Sequence, residues 1–456
     1  MSMTSLISSQ PPPMPMHTTI TLSHGTRGFK LEIPDGLSVC PLEAAGLPAL
    51  TDPRASLEQS LRAPLDTEPL QELARGKTAA CVLIPDQTRP CPLHRALPAL
   101  VSEILHAGLR PDAIEVLVAT GLHVPPSEEG IRELVGPDVS GQAITLRASD
   151  ARDPTQFKDL TPPPGDAPIH LHRDWVGADL RVVASLVEPH LLAGYSGGAK
   201  MILPGIADLQ TIRHAHRPEI IAHPRARAAK MTDNPMFALA RAGEATCPAH
   251  FHLALAVDRA GDLAGAWAGS LAGAHAAAIA AVGEASEVHA PRLFDAAITS
   301  GGGSPTDRTL YQSLKGFCMA SRVVRPGGPL WLLTPAGDGI GSPEFETLLG
   351  RVNGPEAFFH LLESPGFFSI DQWMAQHLFE TMANHPLIIH APGLDAAWLR
   401  GRGMHVVGDV AEGWQRLREL AKNPNPAVAI LSRGAYTLAT TDFDPAELEM
   451  PKGGED

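Results

Sequence analysis

The fold is decided by a stretch in the first third of the chain, CVLIPDQTRPCPLHRALPALVSEILHAGLRPDAIEVLVATGLH, residues 81–123. It begins with a short apolar run (81–86), continues with a helical pattern (93–108) and returns to a second apolar run (114–121). Apolar runs without alternation predict strands buried on both faces, and helices between them predict a parallel sheet. We therefore interpret this stretch as a strand, a crossover helix and a second, parallel strand.

The same alternation of strands and helices continues along the chain. Runs at 180–188 and 251–258 predict two more strands, and an alternating segment at 18–34 predicts an opening hairpin. After an alanine-rich helix predicted at 266–284, a new series of strands begins at Phe294. Its further members are the runs at 329–337, 386–392, 404–410 and 427–434. We predict an α/β fold of two doubly wound, Rossmann-like domains, with the active site in the cleft between them.

The length also indicates two domains, because 456 residues exceed the size at which a single core usually stops growing. We predict a first α/β domain at 17–290 and a second α/β domain at 291–425. The segment 426–456 is predicted to return and to pack on the first domain. The proline cluster within residues 1–16 is typical of a disordered tail.

Composition argues against several functional classes. The chain has 36 Lys and Arg against 50 Asp and Glu, a net charge of -14, whereas nucleic-acid and anionic-membrane surfaces need basic patches. Its five cysteines form no CxxC pair, which disfavours a disulfide framework and a thiolate zinc site. No apolar run reaches the length of a membrane span, and residues 1–16 lack the pattern of a secretion signal. We expect a cytoplasmic protein without nucleic-acid or membrane partners.

Polar residues follow three of the predicted strands at their carboxyl ends. Asp86 and Arg89 follow the first strand, His123 follows the second, and Glu188 and His190 follow the third. Ligands of doubly wound sheets bind beyond this edge, so these side chains are candidates for a shared site. Histidine is the usual acid or base near neutral pH, but with 20 in the chain a single histidine is more often a surface or core residue.

A glycine-rich loop, GYSGGAK at 194–200, follows the third strand. It contains three glycines that would let the backbone approach a ligand closely, Gly194, Gly197 and Gly198. The loop fails the pattern of a phosphate-binding P-loop, because Lys200 follows Ala199 rather than glycine and precedes Met201 rather than a hydroxyl residue. From the loop alone, a structural glycine turn with an exposed lysine is an equally open interpretation.

The helix predicted after this loop carries His214 and His216. Residues two apart on a helix point away from each other, so these two side chains cannot both hold one metal ion. At most one of them is a metal ligand.

Five motifs together are similar to those of the nickel-pincer lactate racemase family. They are PDQTRP (85–90), ATGLH (119–123), EPHLLAGYSGGAKMILPGI (188–206) with TIRHAH (211–216), LYQSLKG (310–316) and DQWMAQ (371–376). The motifs span both predicted domains and keep one order along the chain. One such motif is unspecific, whereas five in order are specific.

The resemblance implies an isomerase, a racemase or epimerase that inverts the C2 centre of a small 2-hydroxy acid such as lactate. It also implies the cofactor of that family, a nickel-pincer nucleotide, which is a pyridinium-3-thioamide-5-thiocarboxylic acid mononucleotide that carries nickel. The first domain would bind this cofactor. Proteins that build the cofactor are implied as transient partners, and the 2-hydroxy acid is implied as the substrate.

The resemblance further implies roles for individual residues. Lys200 matches the lysine that carries the cofactor covalently, and His216 matches the protein ligand of the nickel. His123 and His190 match the acid and base. Asp86 and the three loop glycines are assigned to cofactor binding. The implied substrate-binding residues are Arg89, Tyr311, Gln312, Lys315 and Trp373.

The implied chemistry explains why these residue types are needed. The C2 hydrogen of a hydroxy acid is very weakly acidic beside a carboxylate, so its removal as hydride to a cofactor is easier than its removal as a proton. Because inversion returns the hydride to the other face, the hydroxyl proton is handled from two positions, which two histidines can supply. Arg89 and Lys315 would hold the anionic substrate in a protein of net negative charge.

Ala199 departs from the family pattern, which more often has a basic residue before the loop lysine. The lysine and the cofactor are unaffected, but the identity of the 2-hydroxy acid is left open. Two other functions also stay open. One is a divalent-metal hydrolase that uses His190, His216 and a carboxylate such as Asp86. The other is a non-catalytic protein that binds the cofactor or a hydroxy acid, although binding alone needs no acid/base pair.

Overall fold

The computed structural model describes residues 19–162 and 167–442 of the chain. The tail predicted as disordered, residues 1–16, lies outside them. Within this part of the chain no helix is both long enough and apolar enough to cross a membrane.

Twenty strands and seventeen α-helices make up the described structure. The strands are β1 (Thr19–Leu22), β2 (Phe29–Glu32), β3 (Val39–Pro41), β4 (Ala80–Pro85), β5 (Ile114–Ala119), β6 (Thr145–Ala148), β7 (Phe157–Asp159), β8 (His170–His172), β9 (Leu180–Leu186), β10 (Pro189–His190), β11 (Gly194–Tyr195), β12 (Phe251–Val257), β13 (Leu263–Gly269), β14 (Glu287–His289), β15 (Ala296–Ser300), β16 (Leu330–Leu333), β17 (Leu387–His390), β18 (His405–Val406), β19 (Val428–Leu431) and β20 (Leu438–Thr440). The helices are α1 (Pro53–Arg62), α2 (Leu70–Ala74), α3 (Leu93–His106), α4 (Glu128–Val135), α5 (Pro137–Ser140), α6 (Arg173–Gly177), α7 (Leu209–Ala215), α8 (Pro218–Ile221), α9 (Pro235–Thr246), α10 (Leu271–Ser286), α11 (Leu310–Ser313), α12 (Lys315–Ala320), α13 (Pro343–Gly350), α14 (Pro355–Leu362), α15 (Gln372–Asn384), α16 (Ala396–Arg400) and α17 (Val410–Ala421).

The first large sheet has the strand order β13-β12-β9-β4-β5-β6. All neighbouring strands are parallel except the hairpin pair β12 and β13. The four strands predicted at 81–86, 114–121, 180–188 and 251–258 are therefore confirmed. The chain runs outward from β4 through β5 to β6 and later adds β9 on the other side of β4, so the strand order reverses between β4 and β9.

The crossover between β4 and β5 shows why this sequence winds as it does. Helix α3 buries one apolar face, formed by Leu93, Ala96, Leu97, Leu100, Val101 and Ile104. These residues recur at the three- and four-residue spacing of a helix face that packs on a sheet. The turn after the helix contains Gly108, whose φ of +104° is a conformation that residues other than glycine rarely adopt.

The second large sheet has the order β18-β17-β16-β15-β19-β3 and is parallel throughout. Each of the two sheets carries buried apolar clusters on both of its faces, which confirms the predicted pair of doubly wound layers. The strand order of this sheet reverses between β15 and β19, as the order of the first sheet does between β4 and β9.

Two predictions about chain segments are wrong. The segment from residue 426 was expected on the first domain, but β19 pairs with β15 on one side and β3 on the other, so it completes the second sheet. All four residues of β19 are buried there, which is the packing that a continuous apolar run favours. Of the described strands in this segment, the short β20 pairs outside the second sheet, with β14, and residues 443–456 lie outside the described part of the chain.

The N-terminal segment also belongs with the second sheet. The predicted hairpin is confirmed as β1 and β2, and its residues Ile20, Leu22 and Leu31 pack with Ile298 and Trp331. The helix predicted at 266–284 begins later, at Leu271, where Ser270 caps it. The preceding alanines and glycines instead form β13 in a hairpin with β12.

Candidate active site

A cavity of about 150 Å³ lies between the two sheets, beyond the carboxyl ends of β4, β5 and β9. It therefore occupies the point at which the strand order of the first sheet reverses, where ligands of doubly wound folds bind. We call it the active-site cavity. The residues that line it include Asp86, Arg89, His123, His190, Gly197, Lys200, His216, Tyr311, Gln312, Lys315, Trp373 and His377.

The structure thus brings together every predicted site residue except Gly194 and Gly198, which do not line this cavity. Residues up to His216 come from loops of the first sheet, whereas Tyr311 to His377 come from the second half of the chain. The cavity lies in the predicted cleft between two α/β layers, and its role as the active site remains a prediction.

His123 is held by a carboxylate. It lies after β5, beside Asp86 at the end of β4, and its Nδ1 is 2.6 Å from Asp86 Oδ2. The other carboxylate oxygen accepts hydrogen bonds from the backbone N–H and the hydroxyl of Thr88, at 3.1 and 2.6 Å. Burial alone would raise the pKa of Asp86, but His123, followed by Thr88 and Arg89, holds that pKa below its ordinary value. An ionised Asp86 accepts the Nδ1 proton of His123 and leaves Nε2 as a proton acceptor.

His190 is held by the backbone instead. Its Nδ1 accepts hydrogen bonds from the N–H groups of Leu192 and Ala193, at 3.2 and 3.1 Å, in the small hairpin formed by β10 and β11. A nitrogen that accepts carries no proton, so the neutral ring has its proton on Nε2. Burial, and then the charges of Lys200 and other nearby cations, holds the pKa of His190 well below its ordinary value.

Arg89 forms an ion pair with Glu188, whose Oε1 accepts from Nη1 at 2.7 Å. Although burial opposes it, Glu188 and then Asp86 hold the pKa of Arg89 above its ordinary value. One nitrogen of the guanidinium is bonded in this pair, and the remaining N–H groups are available for a planar anion in the cavity.

Lys200 lies in a 3₁₀ turn at Gly198–Met201, directly after the glycine-rich loop. Burial, followed by the charges of Arg89 and Lys315, lowers the pKa of Lys200 to about 7. Burial and then Arg89 lower the pKa of Lys315 to about 8. At neutral pH a large fraction of Lys200 is therefore the nucleophilic free amine, whereas Lys315 is mostly charged.

The glycines of the loop are required for protein packing. A Cβ on Gly194 would lie 2.6 Å from the carbonyl oxygen of Lys230, and one on Gly197 would lie 2.6 Å from Ser185 Oγ. A Cβ on Gly198 would collide with the ring of His275. All three have positive φ. Only Gly197 lines the cavity, so the predicted ligand contacts of the other two remain predictions.

His216 ends α7, and its Nδ1 donates to the carbonyl oxygen of Ile212 at 2.9 Å. Burial lowers the pKa of His216 to about 4, so the ring is neutral with a free lone pair on Nε2. His214 lies apart from the cavity and contacts Arg217. This confirms that the two histidines cannot share one ligand.

A polar network from the second half of the chain positions Trp373 against His216. Their ring centroids are 4.4 Å apart. Trp373 Nε1 donates to the hydroxyl of Tyr311 at 3.1 Å, and that hydroxyl donates to Asp371 at 3.0 Å. Asp371 also accepts from Ser342. It has a φ of +65°, a conformation that costs about 1–3 kcal/mol in a non-glycine residue and is concentrated at functional sites.

Sequence reasoning missed three residues of this site. Glu188 was noticed at the strand end but not as the partner of Arg89. Asp371 begins a matched motif, yet only its left-handed backbone and its bond to Tyr311 show what it does. His377 lies one turn beyond Trp373 on α15, and that helical spacing was the available signal.

Ala199, the departure from the family pattern, is buried and does not line the cavity. It packs among apolar residues of the first layer, including Leu203 and Ile212. The structure therefore gives no contact through which this position would select the substrate.

No group of three or more His, Cys, Asp or Glu side chains is arranged to hold a metal ion within residues 19–162 and 167–442. The hydrolase alternative required His190, His216 and Asp86 as such a group. Asp86 is instead bonded to His123 and Thr88, and His190 directs Nδ1 at two backbone amides.

Comparisons with known protein sequences match most of the chain. The family model of the lactate racemase N-terminal domain matches residues 24–229, and that of the lactate racemase C-terminal domain matches residues 290–438. Lactate racemase from Lactiplantibacillus plantarum is 30% identical over 365 residues, which are 79% of this chain and 85% of that protein. Lactate racemase from Thermoanaerobacterium thermosaccharolyticum is 29% identical over 375 residues, 80% and 86% of the two chains.

Solved structures show the same relationship. The lactate racemase apoprotein from Thermoanaerobacterium thermosaccharolyticum has a TM-score of 0.82 at 26% identity and covers 92% of this chain and 100% of its own. A Thermotoga maritima protein has a TM-score of 0.63 at 15% identity and covers 86% and 97%, which shows a shared fold.

Proposed function

The chain belongs to the lactate racemase family of isomerases, and we propose that it inverts the C2 centre of a small 2-hydroxy acid with a nickel-pincer nucleotide as its cofactor. The observation that carries the proposal is one cavity that combines two histidines in opposite tautomers with a buried lysine of lowered pKa. Such a set serves proton transfer and covalent attachment, which a binding protein does not need.

The residues of the cavity fit this cofactor. Lys200 is a buried amine with a pKa of about 7, suited to form a covalent bond. His216 offers one neutral nitrogen, a borderline donor that nickel accepts beside sulfur ligands. His377 also lines the cavity, and its Nε2 is buried without a hydrogen-bond partner in the described part of the chain.

Lys200 would therefore hold the cofactor, His216 would bind its nickel, and Asp86, Gly197 and the loop glycines would surround it. The chemistry that the bound cofactor supplies is reversible acceptance of the C2 hydrogen as hydride. The proteins that synthesise the cofactor would be transient partners of this chain.

His123 is prepared to take the hydroxyl proton of the substrate. Its Nε2 lone pair is free because Nδ1 donates to Asp86, and the ionised carboxylate would stabilise the imidazolium that forms. The same imidazolium can return the proton when the reaction runs in the other direction. General acid–base help of this kind is typically worth about 10²- to 10⁴-fold in rate.

His190 is the second acid/base residue of the proposal and would serve the opposite face. In the tautomer that the two backbone amides require, its Nε2–H would donate a hydrogen bond to the substrate oxygen. To take a proton at Nε2, the ring would have to release the amides of Leu192 and Ala193. The two histidines therefore begin the reaction in different states.

The substrate carboxylate would bind to Arg89, Lys315 and Gln312. Glu188 holds one nitrogen of the Arg89 guanidinium, which leaves its other N–H groups for a two-point contact. Lys315 adds a charge that persists below its pKa of about 8. Tyr311 and Trp373 complete the wall of the cavity. Lactate fits this arrangement, and so would other small 2-hydroxy acids.

The decisive experiment uses protein made in cells that build the cofactor. Enantiopure lactate and other 2-hydroxy acids are supplied, and optical rotation is followed. Intact mass spectrometry should show an adduct that is lost in Lys200→Ala and kept in the control Lys158→Ala, and the nickel content should fall in His216→Ala. Active protein without an adduct or nickel would refute the cofactor. Protein that carries both but racemises no hydroxy acid would refute the reaction.

A further inference from the structure

A second cavity, of about 200 Å³, lies behind the active site. Gly302 and Ser304 line it from the loop after β15, and Ser432, Arg433 and Tyr436 line it from the loop after β19. These two strands are the ones between which the order of the second sheet reverses. The second cavity thus occupies in the second sheet the position that the active-site cavity occupies in the first.

The two cavities are neighbours that share a wall. The chain from Leu186 to Pro189, after β9, lines the second cavity on one face, while Leu186 and His190 line the active-site cavity. Residues 43–47 and the turn after β12 close the second cavity on other sides. None of the roles proposed for the reaction uses this space.

Arg433 supplies the second cavity with a charge that has no counter-ion. Its guanidinium lies 5.0 Å from the centre of the Tyr436 ring, and no carboxylate of the described residues is within ion-pair distance of it. Burial lowers the pKa of Arg433, but an arginine stays charged. A half-buried charge of this kind is costly unless an anion pairs with it.

Two of the three acidic residues that line the second cavity have other partners. Glu188 is paired with Arg89. Asp258 accepts from the backbone N–H groups of Ala260 and Asp262, at 2.8 and 2.9 Å, within the turn that it closes. Glu43 is exposed. The rest of the lining is largely apolar and includes Leu47, Val187, Val257 and Val282.

We infer that the second cavity is a binding site for a small organic anion, a single carboxylate or phosphate group on a compact apolar body. Arg433 pairs with the anionic group, and its stacking on Tyr436 keeps the guanidinium in place. The valines and Leu47 receive the apolar body. This site goes beyond the proposed racemase reaction and does not depend on the cofactor.

Benzoate is a suitable probe, because it joins one carboxylate to one apolar ring. Since Arg89 of the active site also binds carboxylates, the titration is made on full-length Arg89→Gln protein by calorimetry or ligand-observed NMR. We expect one benzoate per chain. Adding Arg433→Gln should weaken the affinity about 10- to 100-fold, the range for a lost charged hydrogen bond. Arg308→Gln, which removes an exposed arginine paired with Asp338, is the matched control and should leave it unchanged.

Two further probes test the class of ligand. Acetate lacks the apolar body and benzyl alcohol lacks the charge, so each should bind at least tenfold more weakly than benzoate. If Arg433→Gln does not fold, as judged by circular dichroism, Leu47→Trp replaces it, because the larger ring would fill the cavity. The inference would be overturned if the Arg89→Gln protein does not bind benzoate. It would also be overturned if adding Arg433→Gln, or Leu47→Trp in its place, leaves the binding unchanged in folded protein. Equal binding of acetate or benzyl alcohol would overturn the ligand class.

Discussion

The two histidines of the active-site cavity follow neighbouring parts of one sheet but are held in opposite ways. At the end of β5, His123 donates from Nδ1 to a buried carboxylate. After β9, His190 accepts at Nδ1 from two backbone amides. The carboxylate beside His123 stabilises a positively charged ring. The two amides exclude a proton from Nδ1 of His190 and so oppose a positive charge on that ring. Sharing a residue type and a cavity does not give two side chains the same chemistry.

The largest expected effect comes from Asp86→Asn. The two donors of Thr88 would keep an oxygen at the Oδ1 position, so the amide nitrogen would face His123 and donate to its Nδ1. That reverses the tautomer of His123 and removes its proton acceptor. We expect turnover to fall about 10²- to 10⁴-fold in protein whose adduct and nickel are unchanged. Asp112→Asn, at an exposed site, is the control, and near wild-type turnover of loaded Asp86→Asn would show that the carboxylate does not set the tautomer.

Glutamine substitutions compare the two histidines directly. A glutamine amide can donate a hydrogen bond but cannot take a proton, so it imitates His190 as observed and not His123. Because the proposal uses both histidines in each direction of inversion, we expect both His123→Gln and His190→Gln to lose about 10²- to 10⁴-fold in turnover. Turnover on both enantiomers, corrected for nickel content, measures the difference. A much smaller loss in His190→Gln than in His123→Gln would show that His190 only donates a hydrogen bond and transfers no proton.

The pH dependence sharpens the same comparison with a smaller effect. Because the pKa of His190 is well below its ordinary value, His190 stays neutral at and above neutral pH and gives no pH effect there. Lys315 is charged below about pH 8 and loses its proton above it. The KM for an anionic substrate should therefore rise several-fold as the pH passes through about 8. In Lys315→Arg the side chain stays charged, so the rise in KM should disappear. If the rise persists in this variant, a group other than Lys315 causes it.

The smallest effect is expected from Trp373→Phe, which extends the comparison to His216. This third histidine is also held by the backbone, through Ile212. Phenylalanine keeps an aromatic ring against His216 and loses only the hydrogen bond to Tyr311, worth about 1 kcal/mol. We expect unchanged nickel content and a loss of turnover of about fivefold or less. Loss of nickel in the variant would show that Trp373, and not the backbone, orients the ligand.

The sequence predicts this site well because strand ends are visible in it. Runs of buried residues stop at Asp86, His123 and Glu188, and the rule for parallel sheets brings such ends together. The tautomers were not predictable, since they depend on which backbone amides point at His190 and how Thr88 faces Asp86. Asp371 and His377 were missed for a similar reason: the packing of α15 brings His377 to the cavity and places Asp371 behind Tyr311.

Which strands lie next to each other in a sheet was the least predictable part of the fold. An apolar run such as 427–434 shows that a strand is buried but not which strand lies beside it. The pattern therefore predicted β19 correctly and its sheet wrongly. The same limit applies to β3, a three-residue strand with no clear signal that nevertheless forms the edge of the second sheet.

The pairing of β3 with β19 has a consequence for synthesis of the chain. Strand β3 leaves the ribosome among the first segments, but its only neighbour in the sheet is made almost at the end. The hairpin of β1 and β2, with Ile20, Leu22 and Leu31, likewise lacks the surface on which it packs until β15 and the later strands are made. Contacts between residues so distant along the chain form slowly. Apolar strands that stay unpaired until their partners are made favour aggregation. Truncating the first 45 residues would thus remove the edge of a sheet whose other five strands all lie after residue 290.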